Sequence, residues 1–515
     1  MYIDHNLVLT TYRDTINRII AQGGNGMTEK QFLEAEIRKW KGSPERLLML
    51  TGEGYYTGKG HDILNRKRTA IGNDGKLMVV DNLPNNKIVD NQYGKGVDQK
   101  TDYLVGQPLT FKTEDNETGK KYAEALNAVF NEEFDRKLKT TGRNALNHGI
   151  GWLFPYIEDG ALKFKTIPGY EVLPFWKDEA HTELDLAVRL YVIYGYIGME
   201  PHEFQKVEIY SRKGVDYYDL SEDGILSVDY DSGKHADYLV LSTADGQKKG
   251  YNWERIPLIP FKYNAGEIPL IQRAKTLQDA INTTWSDWLN GMQSTPYNEI
   301  LVVKNYDGAD LGELRRNLAT YGAVKVRTVD GADGGVEALE VDVNASNYQI
   351  VIKELKKALI ENMMCYDAKD DRMGGNANQM NIQSMYSDIN QDANSMETEF
   401  QAAMAQLRWF VDNFLKSQGV GDFAAEKLEV IFNRDMLMDE AGIMGTLNAS
   451  GLQLSNRTLV SQVPFVDDVD AELEQIEKEK QANVEMYGGA FGDGGNNAAT
   501  GNQSGQEPPV DEPEE

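Results

Sequence analysis

The sequence predicts an α+β fold, because helical and strand-like segments are grouped in separate regions of the chain instead of alternating. Helical spacing of apolar residues dominates before residue 150 and after residue 268, and short β-branched and aromatic segments fill the interval. The chain has 515 residues, and about 150 residues per domain gives roughly three or four domains. We therefore expect an α+β protein with several domains.

The N-terminal region is predicted to be helical. Thr28 is a suitable N-cap for the segment TEKQFLEAEIRKWK, whose apolar residues recur at helical spacing and which Gly42-Ser43-Pro44 ends. A second helical stretch runs from about Gly119 to Asn147, with its charged residues on the face opposite its apolar ones. Both stretches are typical of amphipathic helices that pack on a core.

Residues 151–265 are predicted to form an antiparallel β region. Segments such as WLFPYI, ALKFKTI, LYVIYGYI, KVEIYS and DYLVLS are short and rich in β-branched and aromatic residues. The sequences Glu158-Asp159-Gly160 and Glu222-Asp223-Gly224 are typical of turns between such strands.

A helix–insert–helix arrangement follows. Pro269 begins a helix that Gly291 ends, which is the usual placement of these two residue types, and a second helix is predicted from about Ser346 to Tyr366. Between them, EILVVK, LGELRRNLA, AVKVRTV and VEALEVD predict a compact α/β module. The pattern fits a hairpin with a small domain at its tip, and equally an ordinary helical core with an inserted subdomain.

A polar break at residues 367–379, DAKDDRMGGNANQ, leads into the longest periodic segment of the chain. Apolar residues from Ile382 to Phe414 recur in steps of three and four, so a helix is predicted over 381–417, about 55 Å long at ~1.5 Å per residue. Residues 418–484 predict one strand, LEVIF, and helical pieces. The tail 485–515 has seven acids and no basic residue, and is predicted to be disordered.

The charge of the chain argues against a protein that holds nucleic acid tightly. Asp and Glu number 81 against 53 Lys and Arg, a formal net charge of -28, whereas tight binders neutralise phosphates with a basic surface. Brief or sliding contact with DNA is not excluded. The N-terminus lacks the features of a signal peptide and the longest apolar stretch is too short to span a membrane, so an intracellular protein is expected.

Residues with common enzyme chemistry do not form a recognisable site. Gly-Lys-Gly occurs at 58–60 and 94–96, but neither copy has the upstream glycine and following Ser or Thr of a phosphate-binding loop. The six histidines lack metal-ligand spacing, and the single cysteine, Cys365, can form no intrachain disulfide. Asp370 and Asp371 are better interpreted as part of a solvated loop than as metal ligands. We expect no enzymatic activity and no cofactor.

Two separated parts of the chain carry a resemblance: GEGYYTGKGHDILNRKR (52–68) with NLPNNKIVDNQYGKGVDQKTDYLVGQPLTF (82–111), and a segment at 454–479. They are similar to the opening and closing motifs of tailed-bacteriophage portal proteins, of the type found in siphophages of Gram-positive hosts. The first part corresponds to the opening motif. Its matching residues are Tyr55, Tyr56, Gly58, Asn85, Asn86, Tyr103, Gly106 and Pro108, with His61 a little displaced from the commonest spacing. The closing motif is LSNRTLVSQVPFVDDVDAELEQIEKE (454–479). The resemblance covers roughly residues 30–482.

The resemblance implies a portal fold of wing, stem, clip and crown, assembled as a ring that usually has twelve subunits. The implied parts are a wing at 1–265 and 381–417, stem helices at 266–291 and 346–366, a clip at 292–345, a tunnel loop at 367–380, a crown at 418–484 and the tail at 485–515. In the tunnel loop, the implied DNA-facing residues are Lys369, Asp370, Asp371, Arg372, Met373 and Gln379.

The resemblance also implies a function. The ring would occupy one capsid vertex, where the terminase motor packages double-stranded DNA through its channel and DNA later leaves. Implied partners are other copies of the chain, the terminase large subunit, the scaffolding and major capsid proteins, and the head-completion adaptor, with no membrane. Assembly is expected in the host cytoplasm, and the final location is the virion. The alternative is a structural head-assembly protein without a channel. An acidic chain suits a channel, because it repels phosphates and lets DNA slide.

Overall fold

The computed structural model describes residues 28–71, 75–81, 83–229, 232–242, 248–294, 300–308, 310–321, 345–367, 379–434 and 469–488, with shorter pieces between 323 and 339 and between 455 and 460. The chain divides into two compact units. The first comprises Met1–Gly374 and Gln383–Met436, and the second comprises Gly375–Ile382 and Leu437–Glu515.

Helices dominate the chain before residue 150, as predicted. They are α1 (Glu29–Lys41), α2 (Pro44–Tyr56), α3 (Gln92–Val105), α4 (Glu117–Val129) and α5 (Glu132–His148). The Thr28 hydroxyl and the Gln31 side chain form a reciprocal capping box at the start of α1, and Gly42 follows its last residue. The predicted cap of this helix is therefore confirmed.

The stretch from Gly119 to Asn147 is helical, as predicted, but it is divided between α4 and α5. The break falls at Phe130, which is buried and stacks on Phe111 with ring centroids 4.9 Å apart. The next residue, Asn131, accepts hydrogen bonds from two backbone N–H groups of α5. An N-cap of this kind favours a new helix start over continuation of the old helix.

Antiparallel strands fill most of residues 150–262, which confirms the predicted β region. They are β4 (Ile150–Glu158), β5 (Ala161–Ile167), β6 (Val172–Trp176), β7 (Leu184–Ile197), β8 (Glu200–Ser211), β9 (Gly214–Leu220), β10 (Leu226–Val228), β11 (His235–Ala236), β12 (Leu239–Ser242), β13 (Lys248–Tyr251) and β14 (Ile259–Lys262). One sheet has the order β10-β9-β8-β7-β6, with β11 also on β9, and another has the order β14-β4-β5. Upstream, β1 (Thr69–Ile71) and β2 (Leu77–Val79) form a separate two-stranded ribbon.

The larger sheet buries one face against α1. Leu33, Ile37 and Trp40 of this helix belong to the same apolar cluster as Val188 and Val207 of the sheet. These helical residues recur in steps of three and four. In the same cluster, Leu186, Val188 and Leu190 are alternate residues of β7, so the helix and the sheet each present an apolar face to the other.

Two helices flank a small module, as predicted. They are α6 (Ile271–Ser294) and α8 (Ala345–Asn362), and between them lie β15 (Ile300–Lys304), α7 (Leu311–Tyr321) and β16 (Gly335–Leu339). Strands β15 and β16 pair antiparallel. In its described part, the predicted strand AVKVRTV shows only a single bridge from Val326 to Tyr306. Helix α6 continues past Gly291, and α8 ends before Tyr366.

The long helix is confirmed as α9 (Gln379–Ser417), and its apolar residues lie in the core of the first unit. Phe400 packs edge-on against Phe261 of β14, with ring centroids 5.0 Å apart. After α9, the predicted strand forms as β17 (Leu428–Ile431) and pairs with β3 (Thr110–Thr113). In the second unit, α10 (Val469–Gly488) matches the predicted charged helix.

None of the described helices is both long enough and apolar enough to cross a membrane.

Candidate functional site: a helix pair and the loop it leads to

Helices α6 and α8 are far apart in sequence and pack against each other. Ile281 of α6 and Leu359 of α8 are completely buried. Near one end of the pair, Trp288 stacks on Tyr348, with ring centroids 6.3 Å apart. Because Trp288 is late in α6 and Tyr348 is early in α8, the helices run antiparallel and the module joins their adjacent ends.

The other packed face of α6 carries a line of buried polar side chains. Gln278, Asn282, Ser286 and Asn290 are spaced by four residues and each has at most 1% of its surface exposed. Residues four apart lie on one face of a helix. A buried polar group is costly unless it is hydrogen-bonded, so a specific partner is required along the whole line.

That partner is the backbone of residues 86–93. Four backbone N–H groups donate to the four side chains over 2.7–3.0 Å: Asn86 to Asn290 Oδ1, Ile88 to Ser286 Oγ, Asp90 to Asn282 Oδ1, and Tyr93 to Gln278 Oε1. We call this arrangement the seam. It holds an irregular segment of the N-terminal region against the first helix of the pair.

The regular spacing of the seam follows from the geometry of its two sides. Four residues of an α-helix advance about 6.0 Å along its axis, and two residues of extended chain advance about 6.6 Å. Alternate N–H groups at 86, 88 and 90 therefore match helix positions four apart. Tyr93 departs from the alternation because α3 begins at Gln92.

His61 extends the seam toward α2. Its Nε2 donates to the backbone oxygen of Tyr55 over 3.1 Å, and its Nδ1 accepts from Nδ2 of Asn282 over 2.9 Å. Its ring lies against that of Tyr55, with centroids 4.3 Å apart. Burial lowers the pKa of His61 below its ordinary value, so the neutral ring is the form that this contact requires.

Asp90 connects the seam to both helices of the pair. Its Oδ2 accepts from Nε1 of Trp285 on α6 over 3.0 Å and from Nζ of Lys356 on α8 over 2.6 Å. Burial acts to raise the pKa of Asp90, but hydrogen bonds and the charge of Lys356 outweigh it, and the pKa is lowered. A single carboxylate thus binds the N-terminal segment to both helices.

At the opposite end of α8, residues 363–366 are held against α3 just before the polar break. We call this arrangement the clamp. The side-chain amide of Gln99 donates to the backbone oxygen of Tyr366 over 3.0 Å and accepts from its N–H over 3.2 Å. Gly96 makes room for this segment, because a Cβ there would lie 2.7 Å from Cε of Met363. Cys365 is buried here, and burial raises its pKa to about 11, which supports a packing role for this thiol.

A buried ion pair reinforces the clamp. Lys100 donates to the backbone oxygen of Met364 over 3.2 Å and forms an ion pair with Asp392 of α9 over 2.6 Å. The Tyr263 hydroxyl donates to the other carboxylate oxygen over 2.9 Å. Met364 has a left-handed backbone, with φ of 52°. The start of the polar break is therefore held directly by α3, and Lys100 links it to Asp392 of α9.

The clamp directly precedes the predicted tunnel loop in the chain. Lys369, Asp370, Asp371, Arg372 and Met373 lie outside the described residues, and Gln379 is the first residue of α9. Tyr366, before the break, lies against Tyr386, after it, with ring centroids 4.5 Å apart. The two ends of the segment 367–385 therefore meet at one place, while the role of the residues between them stays a prediction.

Several residues of the opening motif contact the helix pair. The Tyr55 hydroxyl donates to Oδ1 of Asp279 over 2.6 Å, and Nδ2 of Asn86 donates to Oδ1 of Asn290 over 2.8 Å. Gly58 has a φ of +75°, a conformation that favours glycine. In this chain the motif thus forms part of the surface on which α6 rests.

The polar line of the seam was not predicted from the sequence. The signal was present, since four polar residues recur at intervals of four in α6. A polar stripe on a helix usually faces solvent, and its partner here is a backbone without regular secondary structure. Across the described ranges, no group of three or more His, Cys, Asp or Glu residues is arranged to hold a metal ion.

The fold is that of a multi-part protein in which a small module lies between two packed antiparallel helices. The family model described as "Phage portal protein, SPP1 Gp6-like" matches residues 44–486. The chain belongs to this family.

Two curated relatives are portal proteins of phages. The portal protein of Bacillus phage SPP1 is 30% identical over 492 residues, which is 94% of this chain and 93% of that protein. The portal protein of Clostridium phage phiCD119 is 22% identical over 447 residues, which is 84% of this chain and 92% of that protein. Both names agree with the resemblance seen in the opening and closing motifs.

A solved structure titled "Neck of empty GTA particle computed with C6 symmetry" contains a chain with a TM-score of 0.40 and 12% identity. The alignment covers 72% of this chain and 88% of that chain.

Proposed function

We propose that this chain forms a ring of about twelve subunits at one capsid vertex and that double-stranded DNA enters and leaves the head through its channel. The family match over residues 44–486 carries the proposal. Portal family membership describes a structural component, so the energy for DNA movement would come from a separate motor, the terminase.

The clamped loop base suits this role. Residues 363–366 are fixed by Gln99 and Lys100, whereas the segment that follows is polar and contains Gly374-Gly375. A loop with a fixed base and a polar tip can contact a moving duplex without shifting the helices behind it. Lys369 and Arg372 are offset by three Asp residues, and exposed contacts between single cations and phosphates are weak and screened by salt.

The parts of the portal fold are assigned as the resemblance implies, with one change. We place the stem in α6 and α8, the clip in the module between them, and the wing in the N-terminal helices, the β region and α9. Residues 418–434 belong to the first unit, where β17 pairs with β3. We therefore propose that the crown begins after Met436 instead of at residue 418.

The proposed partners follow from the position at a capsid vertex. They are the terminase large subunit, the scaffolding and major capsid proteins, and the head-completion adaptor that leads to the tail. A structural head-assembly protein without a channel is the alternative, and a closed ring with a central hole distinguishes the two.

The tunnel loop provides a test of the channel. In phage carrying Lys369→Ala with Arg372→Ala, we expect rings and heads to form normally while packaging or retention of full-length DNA is reduced. The measurement is the encapsidated DNA length and amount per particle. A matched control replaces Lys112 of β3 and Lys427, which directly precedes β17; both are exposed, and the control is expected to package normally.

Two outcomes would contradict the placement of the loop. Normal packaging and retention by the loop variant would show that its basic residues have no such role. Failure of that variant to form rings would show that the loop is structural and does not face a lumen.

A further inference from the structure

The strands β7 and β8 continue well beyond the sheet that contains them. Strand β6 pairs with β7 only as far as Arg189, and β9 pairs with β8 only from Gln205. Residues 192–204 therefore form a two-stranded projection, which we call the arm. Among the described residues, each arm strand pairs only with the other.

The arm exposes large apolar side chains. Tyr194 is 77% exposed, Tyr196 is 72% exposed and Met199, at the turn, is 94% exposed. Tyr194 and Tyr196 are alternate residues of one strand, so they share a face. Glu203 lies directly opposite Tyr194 and adds a negative charge to that face. Two-stranded units are marginally stable alone, and an exposed apolar strand pair is typical of an interaction surface.

The ribbon formed by β1 and β2 complements the arm in charge, and it also exposes apolar side chains. Ile71 and Leu77 are directly paired, which places them on one face, and they are 76% and 74% exposed. Residues 67–80 contain Lys67, Arg68 and Lys76 against one acid at position 74, which lies outside the described residues. The ribbon is thus aliphatic with basic flanks, whereas the arm is aromatic with two acids, Glu200 and Glu203.

We propose that the arm of one subunit docks on the β1–β2 ribbon of a second copy of this chain. Two different, complementary surfaces on one chain form a heterologous contact, and repetition of such a contact around an axis closes a ring. This inference rests on the proposed ring and adds the surfaces that join its subunits. Other phage proteins are the competing occupants of the arm.

Disulfide trapping tests the contact directly. Tyr196→Cys combined with Leu77→Cys should, after mild oxidation, give a ladder of covalent oligomers that ends at the subunit number of the ring. Each single variant should give none, since one new cysteine has no partner across the contact. The native Cys365 is buried and should stay silent in both controls.

Charge reversal gives an independent test that leaves apolar packing unchanged. Glu203→Lys or Lys67→Glu alone should raise the protein concentration needed for ring assembly, by roughly threefold to tenfold for one exposed charge pair. The combined reversal should restore assembly toward the original concentration. Both residues are exposed, so folding should be unaffected.

The outcomes separate this inference from the proposed function. Rings that form without any covalent ladder, and that tolerate both single reversals, would overturn the arm contact and leave the proposed ring standing. Rings with the Glu203→Lys substitution in the arm could assemble normally but fail to enter heads. That result would assign the arm to a capsid partner, and it would also overturn the inference. Absence of rings in the unmodified protein would overturn both proposals.

Discussion

The imidazole of His61 is held in one protonation state by its two neighbours. Nε2 must donate, because the backbone oxygen of Tyr55 can only accept, and Nδ1 must then accept from the Asn282 amide. A second ring proton would face a donor. Burial accordingly lowers the pKa of His61 from its ordinary value of 6.5, so the folded state binds fewer protons than the unfolded state below that pH.

The free energy of unfolding should therefore fall as the pH drops through 6.5 toward the lower folded-state pKa. One such group contributes a slope of at most about 1.4 kcal/mol per pH unit. His61→Gln retains a donor and an acceptor and should reduce this slope. The measurement is urea denaturation between about pH 7.5 and 5. His202→Gln, on the arm, is the control, and equal slopes for His61→Gln and the unmodified protein would contradict the assignment.

Lys100 is a buried charge at the loop base, and the side chain of its partner Asp392 is only 10% exposed. Replacing Lys100 with Met leaves that carboxylate without its cation, which typically costs about 3–5 kcal/mol. We expect the free energy of unfolding to fall by this amount, and Lys100→Met with Asp392→Asn to recover part of it. In contrast, Lys139→Met removes an exposed pair with Asp102 and should cost about 1 kcal/mol or less. Similar losses for the two lysines would contradict a buried clamp.

The seam depends on two elements together, helix α6 and the extended segment 86–90. Its hydrogen bonds form because four residues of the helix and two residues of the extended chain advance by nearly the same distance. Its central residue, Asn282, serves Asp90, Gln278 and His61 at once. A change in one side chain should therefore affect several buried groups together.

Asn282→Ala should lower the free energy of unfolding by about 2–4 kcal/mol, since it leaves at least two buried polar groups unpaired at ~1–3 kcal/mol each. Thr283→Ala changes the next residue, which is exposed, and should stay within about 0.5 kcal/mol of the unmodified protein. The measurement is denaturant unfolding of both variants. Equal effects would mean that the polar line does not stabilise the seam.

Element types were predictable from the sequence where apolar spacing decides them. The steps of three and four from Ile382 to Phe414 predicted α9, and short alternating segments predicted the antiparallel β region. The break between α4 and α5 was missed because capping by Asn131 is a local hydrogen-bonding choice that leaves the apolar period nearly unchanged. The seam was missed because its partner is a backbone, which has no side-chain pattern to read.

At the scale of the whole molecule, α9 joins the separate parts of the first unit. It packs against β14 through Phe400, forms an ion pair with α3 through Asp392, and accepts a hydrogen bond from Tyr122 of α4 at Asp412. The helix pair rests on the same body through the seam and the clamp. The first unit can therefore hold the module between α6 and α8, and the base of the predicted tunnel loop, at fixed positions. In the proposed ring, each subunit would need to present these parts in the same way.

Electron microscopy of the purified protein distinguishes a closed ring from other states of assembly. We expect closed rings of about twelve or thirteen copies with a central hole, because heterologous contacts close when their rotation permits it. Particles that remain monomers or dimers at micromolar concentration, or open filaments of indefinite length, would contradict it.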